Sequence, residues 1–244
     1  MARILAGRDD ALLRILAVMA HPTFEQALTA RLRTDPGQPF VTFYDDTTGE
    51  RTELSVTTYA NWVAKTAGVL VEDADLSEGS TVRLDLPTHW LGPVLLGACW
   101  LVGAEVVGEG ADLWVGVPDR VPPSGERMVT GLGPFAARVA DPPRGVLDLG
   151  ALWPGQPDSF LGLPAGPDAV AYDGAGWAEL SGAAGTSADR VLTDLNPVTP
   201  DGAHLLVASL AGPGSVVWVA DADPAGWDHR ASVEQATRQV RAPS

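Results

Sequence analysis

Two short turns, at residues 87–90 and 196–199, carry the side chains best suited to ligand chemistry. Each follows a predicted strand at the point where the chain crosses to a helix, and ligands of parallel α/β sheets bind outside the carboxyl ends of the strands. Their hydroxyl, amide, imidazole and indole groups can form hydrogen bonds or stack on a ring. The candidate ligand-binding residues are Thr88, His89, Trp90, Asn196 and Thr199.

A structural role for the same residues is the alternative. Thr88 has the side chain of a helix N-cap, and Asn196-Pro197 is a dipeptide that favours a turn. Both interpretations stay open from the sequence.

Other constellations that would indicate catalysis or metal binding are missing from the sequence. The histidines at 21, 89, 204 and 229 are isolated from one another and from the single cysteine. Asp221, Asp223 and Asp228 lack the loop pattern of a calcium site, and we expect them to form a solvated acidic turn. We therefore predict no metal, no catalytic residue and no cofactor.

Residues 146–150 resemble the start of an S-adenosylmethionine-binding glycine loop. Pro154 then stands where a helix should begin, and the glycine spacing fails, so an exit from a strand into a loop is the preferred interpretation.

Composition argues against two classes of binding partner. The 244 residues carry a net charge of −15, and an acidic surface repels both nucleic acid and anionic membranes. No apolar run approaches the ~20 residues of a membrane helix. One cysteine, Cys99, forms no internal disulfide, which favours the cytoplasm, and its place in an apolar helix indicates a buried thiol.

An internal repeat organises the chain. Residues 80–107 recur in outline at 189–217. In the first copy Val82, Leu84 and Leu86 alternate as in a strand, apolar residues at helical spacing follow, and Gly103 ends the helix. We predict an α/β fold of two pseudo-symmetric βαβ-containing halves, with mostly parallel sheets flanked by helices.

The second copy is the shorter one. The Tyr-Asp pair at 44–45 recurs at 172–173, but we expect the second copy to lack the hairpin turn of residues 45–49 and much of the stretch 70–79.

The pattern along the chain predicts three segments. Residues 1–117 hold the N-terminal helices and the first copy, 118–167 form a Pro/Gly-rich connector with one or two strands, and 168–244 hold the second copy and a tail. Helices are expected at 9–20, from the capping box Thr23–Gln26 to about Leu32, and in the tail between Val233 and Gln239. Strands are expected at 112–117 and 145–149.

The order of motifs resembles the amino-terminal part of the adenylate-forming superfamily, which contains the acyl-CoA synthetases. The matching segments are 34–39 with its Asp-Pro, 58–62 with its Thr-Tyr helix start, 78–87 ending in Leu-Pro, and 97–107 with its Gly-Ala-x-Val-Val strand start. The second copy, 189–217, resembles the next subdomain of that superfamily.

The departures from the superfamily concern its chemistry. Its members hold ATP phosphates with a Ser/Thr/Gly-rich loop that ends in Pro-Lys-Gly, whereas this chain continues from the strand at 169–172 into Asp173-Gly174-Ala175-Gly176. The aromatic-His pair is absent near 198–200 unless His204 substitutes for it, and the chain ends at Ser244 before the adenine-binding and C-terminal lysine motifs. The only lysine, Lys65, is expected to be a solvated charge on a helix face.

The resemblance therefore implies a non-catalytic relative of these synthetases that binds a small molecule, a nucleotide or an acyl group, or a protein partner. The alternatives are a degenerate subunit of an acyl-activating enzyme completed by a separate chain, and a purely structural interaction module.

Overall fold

The computed structural model describes residues 22–133 and 138–243. The helices are α1 (Phe24–Thr34), α2 (Val56–Glu72), α3 (Leu91–Val102), α4 (Leu149–Leu152), α5 (Trp177–Ala184), α6 (Pro200–Ala211) and α7 (Trp227–Val233), with 3₁₀ turns at Pro118–Arg120 and Trp153–Gly155. The strands are β1 (Pro39–Asp45), β2 (Arg51–Ser55), β3 (Thr81–Asp85), β4 (Glu105–Val106), β5 (Leu113–Gly116), β6 (Glu126–Val129), β7 (Leu147–Asp148), β8 (Val170–Tyr172), β9 (Ala175–Gly176), β10 (Arg190–Thr193), β11 (Ser215–Ala220) and β12 (Arg238–Val240).

The strands form two sheets that are mainly parallel. Sheet A has the order β12-β10-β11-β1-β2, and sheet B has the order β7-β6-β5-β3-β4-β8-β9. Within them, only the hairpins β1–β2 and β8–β9 pair antiparallel. The predicted α/β class with mostly parallel sheets is confirmed.

Each hairpin lies in a different sheet from the strands that follow it in the chain. The hairpin β1–β2 joins β10 and β11 in sheet A, whereas β3 and β4 belong to sheet B. The hairpin β8–β9 in turn completes sheet B beside β4. Both sheets therefore need strands from both halves of the chain.

Helix α3 forms the centre of the core, because all of its residues are buried. It packs closely on α2 at Gly97, where a Cβ atom would lie 2.4 Å from the hydroxyl oxygen of Tyr59. That hydroxyl donates a hydrogen bond to the carbonyl oxygen of Pro93 over 3.1 Å. An apolar helix of this kind is stable only when it is enclosed on every side.

The predicted helix ends at Thr23 and Gly103 are confirmed. Thr23 and Gln26 form both hydrogen bonds of a capping box, so α1 starts at Phe24 and continues to Thr34. Gly103 has a left-handed φ of 83° and its amide closes α3 onto the carbonyl oxygen of Cys99.

Strands β5, β6 and β7 extend sheet B on the side of β3 away from β4, and all three pair parallel. The sequence indicated β5 and β7 but not β6, whose four residues Glu126–Val129 include only two that are buried. So short a segment has too little apolar alternation to identify a strand.

The predicted tail helix is wrong beyond Val233. Helix α7 ends there, and Arg238–Val240 form β12, which pairs parallel with β10. The partner strand decides this conformation, since β12 has no buried side chain of its own. The helix predicted at 9–20 lies outside the described residues.

None of the helices within 22–133 and 138–243 has the length and apolar character needed to cross a bilayer.

Candidate functional site

The two predicted turns lie in contact with each other. The side-chain amide of Asn196 donates a 2.7 Å hydrogen bond to the carbonyl oxygen of Leu86, directly after β3. Pro197 packs against Gly92 so closely that a Cβ atom on Gly92 would lie 2.7 Å from the proline ring. Since β3 and β10 belong to different sheets, this contact joins the carboxyl ends of the two sheets.

Asn196 and Thr199 form hydrogen bonds within their own turn. The side-chain oxygen of Asn196 accepts from the amide of Val198 at 3.1 Å. The Thr199 hydroxyl accepts from the amide of Gly202 at 3.3 Å, which caps α6, and donates to the carbonyl oxygen of Asn196 at 2.7 Å. These contacts are turn and cap chemistry.

The cap predicted at Thr88 is wrong. Helix α3 starts at Leu91, and its N-cap is Trp90, whose side chain makes no capping hydrogen bond. The Nδ1 atom of His89 instead accepts a hydrogen bond from the Leu91 amide over 3.3 Å. The helix begins two residues later than the sequence indicated. The imidazole of His89 therefore accepts a hydrogen bond at the helix start, the role that was expected of the Thr88 hydroxyl.

His89 is a buried, neutral ring. It is 3% exposed and lies 4.7 Å, between ring centroids, from Phe43. Burial lowers the pKa of His89 to about 4, against the opposing effects of the Leu132 backbone and the Asp45 charge. At neutral pH its Nε2 atom has no hydrogen-bond partner among the described residues.

Trp90 is buried in the same way, at 1% exposure, with its ring 5.6 Å from that of Trp62. Its indole nitrogen also lacks a partner within the described part of the chain. Each unmade hydrogen bond of a buried group costs about 1–3 kcal/mol. His89 and Trp90 thus each keep one buried ring nitrogen without a hydrogen bond among the described residues.

The segment that the sequence resemblance matched to the superfamily's phosphate loop forms a two-residue hairpin turn. Asp173 and Gly174 join β8 to β9 with φ values of 42° and 84°, the left-handed conformation that such turns require. The prediction that the second copy lacks a hairpin turn is therefore wrong. The chain from Asp173 to Gly176 forms a turn and the strand β9, not one strand-to-helix loop.

Both turn residues are engaged by neighbouring groups. An Asp173 carboxylate oxygen accepts from the Gly108 amide at 3.2 Å, and the Gly174 amide donates to a Glu105 carboxylate oxygen at 2.6 Å. The turn itself carries neither a hydroxyl nor a lysine.

Lys65 is not a solvated charge, which corrects the expectation from its helix face. Its ammonium group donates to the carbonyl oxygen of Gln156 at 2.6 Å and lies 2.8 Å from a carboxylate oxygen of Asp158. The lysine thus ties α2 to the loop after the 3₁₀ turn at Trp153–Gly155.

Cys99 is buried, as predicted, and burial raises the pKa of its thiol to about 12. The thiol is therefore protonated and unreactive at neutral pH. Three or more metal-ligating side chains do not come together anywhere in the described ranges.

A groove of about 600 Å³, which no sequence motif indicated, lies between α1, α5 and the end of α6. We call it the α1–α5–α6 groove. Its lining comprises Pro22, Ala27, Ala30, Arg31, Thr34, Asp35, Trp177, Ser181, Gly182, Gly185, Thr186, Leu210, Ala211, Gly212 and Pro213. These residues come from distant parts of the chain, so no local pattern identifies the groove.

Solved structures with the same fold are acyl-CoA synthetases. One from Brucella canis has a TM-score of 0.74 at 14% identity and is matched over 91% of this chain and 48% of its own. The fatty acyl CoA synthetase of Mycobacterium tuberculosis has a TM-score of 0.62 at 15% identity, over 86% of this chain and 47% of its own. O-succinylbenzoate coenzyme A synthetase from Bacillus subtilis, solved with ATP and magnesium, has a TM-score of 0.64 at 14% identity, with 87% and 62% covered.

At these identities the likeness establishes the fold alone, and the chain spans about half to three fifths of the length of those synthetases. No protein-family model matches the chain. A curated protein of Mycobacterium tuberculosis, described as a TIGR03089 family protein, is 34% identical over 232 residues, which cover 86% of this chain and 95% of that protein. The chain belongs to the TIGR03089 family, with the fold of the amino-terminal part of the adenylate-forming acyl-CoA synthetases.

Proposed function

We propose that the protein is a non-catalytic relative of the acyl-CoA synthetases that binds a small ligand or a protein partner. The observation that supports the proposal is the turn Asp173-Gly174 between β8 and β9, in the segment that the resemblance matches to the superfamily's phosphate loop.

The charges at this turn oppose phosphate binding. Two carboxylates, Asp173 and Glu105, lie at the turn, and each is bonded to a backbone amide that would otherwise be free to meet an anion. Preorganised donors and cations are what stabilise a transferring phosphoryl group. A triphosphate placed here would meet negative charge instead.

Absence of adenylation is tested directly by ATP–pyrophosphate exchange of the purified chain with a panel of carboxylic acids. We expect no exchange above a protein-free blank, with an active acyl-CoA synthetase as the positive control. Exchange that follows the purified protein through a second column would overturn the proposal.

Ligand binding is proposed at the contact of the two turns. His89 and Trp90, in the first turn, each have a ring nitrogen without a partner among the described residues, and Asn196 and Thr199 form the hydrogen bonds of the second turn. The ligand classes to test are nucleotides and acyl groups, as the resemblance implies. A protein partner at the same place is the other form of the proposal.

A thermal-shift screen with ATP, AMP, CoA and acyl-adenylate mimics tests whether a small molecule binds. A ligand at 100 times its Kd that binds only the folded state adds about 2.7 kcal/mol to the free energy of unfolding, and Tm rises accordingly. The rise should be smaller in a His89→Phe variant and unchanged in His229→Phe, since His229 is exposed. No rise with any compound favours a structural interaction module.

A second candidate function is a subunit completed by a separate chain. It is supported by the likeness in fold to an acyl-CoA synthetase over 91% of this chain. Purification of the tagged protein from its native host should then yield a stoichiometric partner that carries the missing phosphate loop. A chain recovered alone, at native expression, argues against it.

Two further expectations remain proposals. We propose that the two halves are one unit written twice, supported by the order hairpin, helix, strand, helix, strand at both 39–106 and 170–220. We also propose a cytoplasmic location, because the single cysteine forms no internal disulfide.

A further inference from the structure

The α1–α5–α6 groove lies apart from the two turns and is lined mostly by apolar groups. Its volume of about 600 Å³ falls within the range of small-molecule sites, about 300–1,000 Å³. Ala27 and Ala30 line it from α1, and Leu210 and Pro213 from the end of α6. Trp177 adds an aromatic ring.

Three helices end at this groove. Thr34 is the last residue of α1, Gly185 is the C-cap of α5, and Ala211 is the last residue of α6, and all three line it. A helix C-terminus exposes carbonyl oxygens and carries about −0.5 of an elementary charge. The ends of α1 and α5 therefore each contribute negative potential to the groove, whereas the end of α6 is offset by the guanidinium of Arg31.

The ionised side chains of the lining are Arg31 and Asp35. Arg31 is 5% exposed, and its guanidinium donates to the carbonyl oxygens of Ser209, Gly212 and Gly214 at the end of α6. Its two terminal nitrogens are therefore directed at the protein, whereas its Nε atom has no hydrogen-bond partner among the described residues. The side chain of Asp35 is 34% exposed, and its Oδ2 atom lies 4.0 Å from the Nε atom of Arg31.

These charges add up to a negative site. Arg31 offsets the end of α6, which leaves the Asp35 carboxylate and the ends of α1 and α5, and the chain as a whole carries −15. The accessible member of the pair is the carboxylate. A cation at the mouth of the groove would be attracted by Asp35 and by the helix ends, and an apolar body would replace water along the rest of the lining.

We propose that the α1–α5–α6 groove binds small molecules that combine an apolar body with an ammonium group, and that Asp35 holds the ammonium. This site is separate from the one at the two turns and does not depend on it.

The test compares three ligands with the same eight-carbon body. Octylammonium, 1-octanol and octanoate are titrated into the full chain, and binding is measured by calorimetry and by amide chemical shifts. We expect the shifts to map to the groove. Octylammonium should bind at least fivefold more tightly than octanol, and octanoate should bind more weakly than either.

Two pairs of variants locate the effect. Asp35→Asn should weaken octylammonium about fivefold and leave octanol unchanged. Its matched control is Asp73→Asn, because Asp73 caps the C-terminus of α2 in the same way but lies outside the groove. Ala30→Trp should block all three ligands. Its control is Arg33→Trp, because Arg33 is exposed on the same helix but does not line the groove, and this variant should block none of them.

Several results would overturn the proposal. Octanoate binding as tightly as octylammonium removes the charge argument, and equal effects of the two aspartate variants remove the role of Asp35. Absence of binding by all three ligands also overturns the proposal. Sizing chromatography then shows whether a second copy of the chain or another part of the same chain covers the groove.

Discussion

The titratable ring of His89 is buried in the core beside Phe43, and this burial makes the free energy of unfolding depend on pH. Its pKa in the folded state is about 4, against 6.5 for the free side chain, so between these values the unfolded state binds more protons. Stability is therefore lost as pH falls through this window. We expect the free energy of unfolding to be about 2 kcal/mol lower at pH 5 than at pH 7.

Urea unfolding at pH 7, 6 and 5 measures this effect. In His89→Phe the difference between pH 7 and pH 5 should nearly vanish, although the variant loses the acceptor for the Leu91 amide and is less stable at pH 7. His229→Phe, at an exposed position, should keep the full difference. A His89→Phe protein with the original pH dependence would show that other groups cause it.

Asn196 holds the two turns together through one side-chain hydrogen bond to Leu86. Removing it in Asn196→Ala leaves the carbonyl oxygen without that donor and frees the turn, and should cost about 1–2 kcal/mol in the free energy of unfolding. The control is Asn61→Ala on α2, where alanine is the better helix former. Chemical denaturation that gives the same change for both asparagines would contradict the role of Asn196.

At the scale of elements, the hairpin β8–β9 depends on its two-residue turn. Gly174 has a φ of 84°, and a side chain in this conformation costs about 1–2 kcal/mol. We expect Gly174→Ala to lower the free energy of unfolding by that amount, measured by denaturation.

Gly37→Ala is the matched control for that substitution. Gly37 has open space where a Cβ atom would lie and no left-handed φ, so alanine there should be neutral or stabilise by up to about 1 kcal/mol. Equal destabilisation at 37 and 174 would show that the turn conformation is not what matters.

At the scale of the whole molecule, the exchange of hairpins couples the two halves. Sheet A cannot form without β1 and β2 from the first half, and sheet B needs β8 and β9 from the second. We expect a single cooperative transition, in which far-ultraviolet circular dichroism and tryptophan fluorescence coincide during urea unfolding. Two separated transitions would show instead that the predicted segments behave as independent domains.

The groove is likewise a property of the whole molecule. Pro22, Trp177 and Pro213 line it from three distant segments of the chain, and each residue has an ordinary local role. Trp177, for example, packs on Phe24 with ring centroids 5.5 Å apart. Local sequence patterns do not show which helix ends lie side by side, because the packing of the sheets decides their positions.

The sequence by itself determined the α/β class, the start of α1 and the end of α3. These features depend on short-range rules: strand and helix periodicity, the capping box at Thr23 and the conformational freedom of Gly103. Such rules act within a few residues, so they are visible before folding.

Tertiary structure alone decided which sheet each strand joins, why β12 is a strand, and what the candidate residues contact. Asn196 meets Leu86 because two sheets bring their carboxyl ends together, and His89 is neutral because Phe43 and Trp90 exclude water from it. Pairing partners and burial arise from contacts between residues far apart in the chain, and no local pattern specifies them.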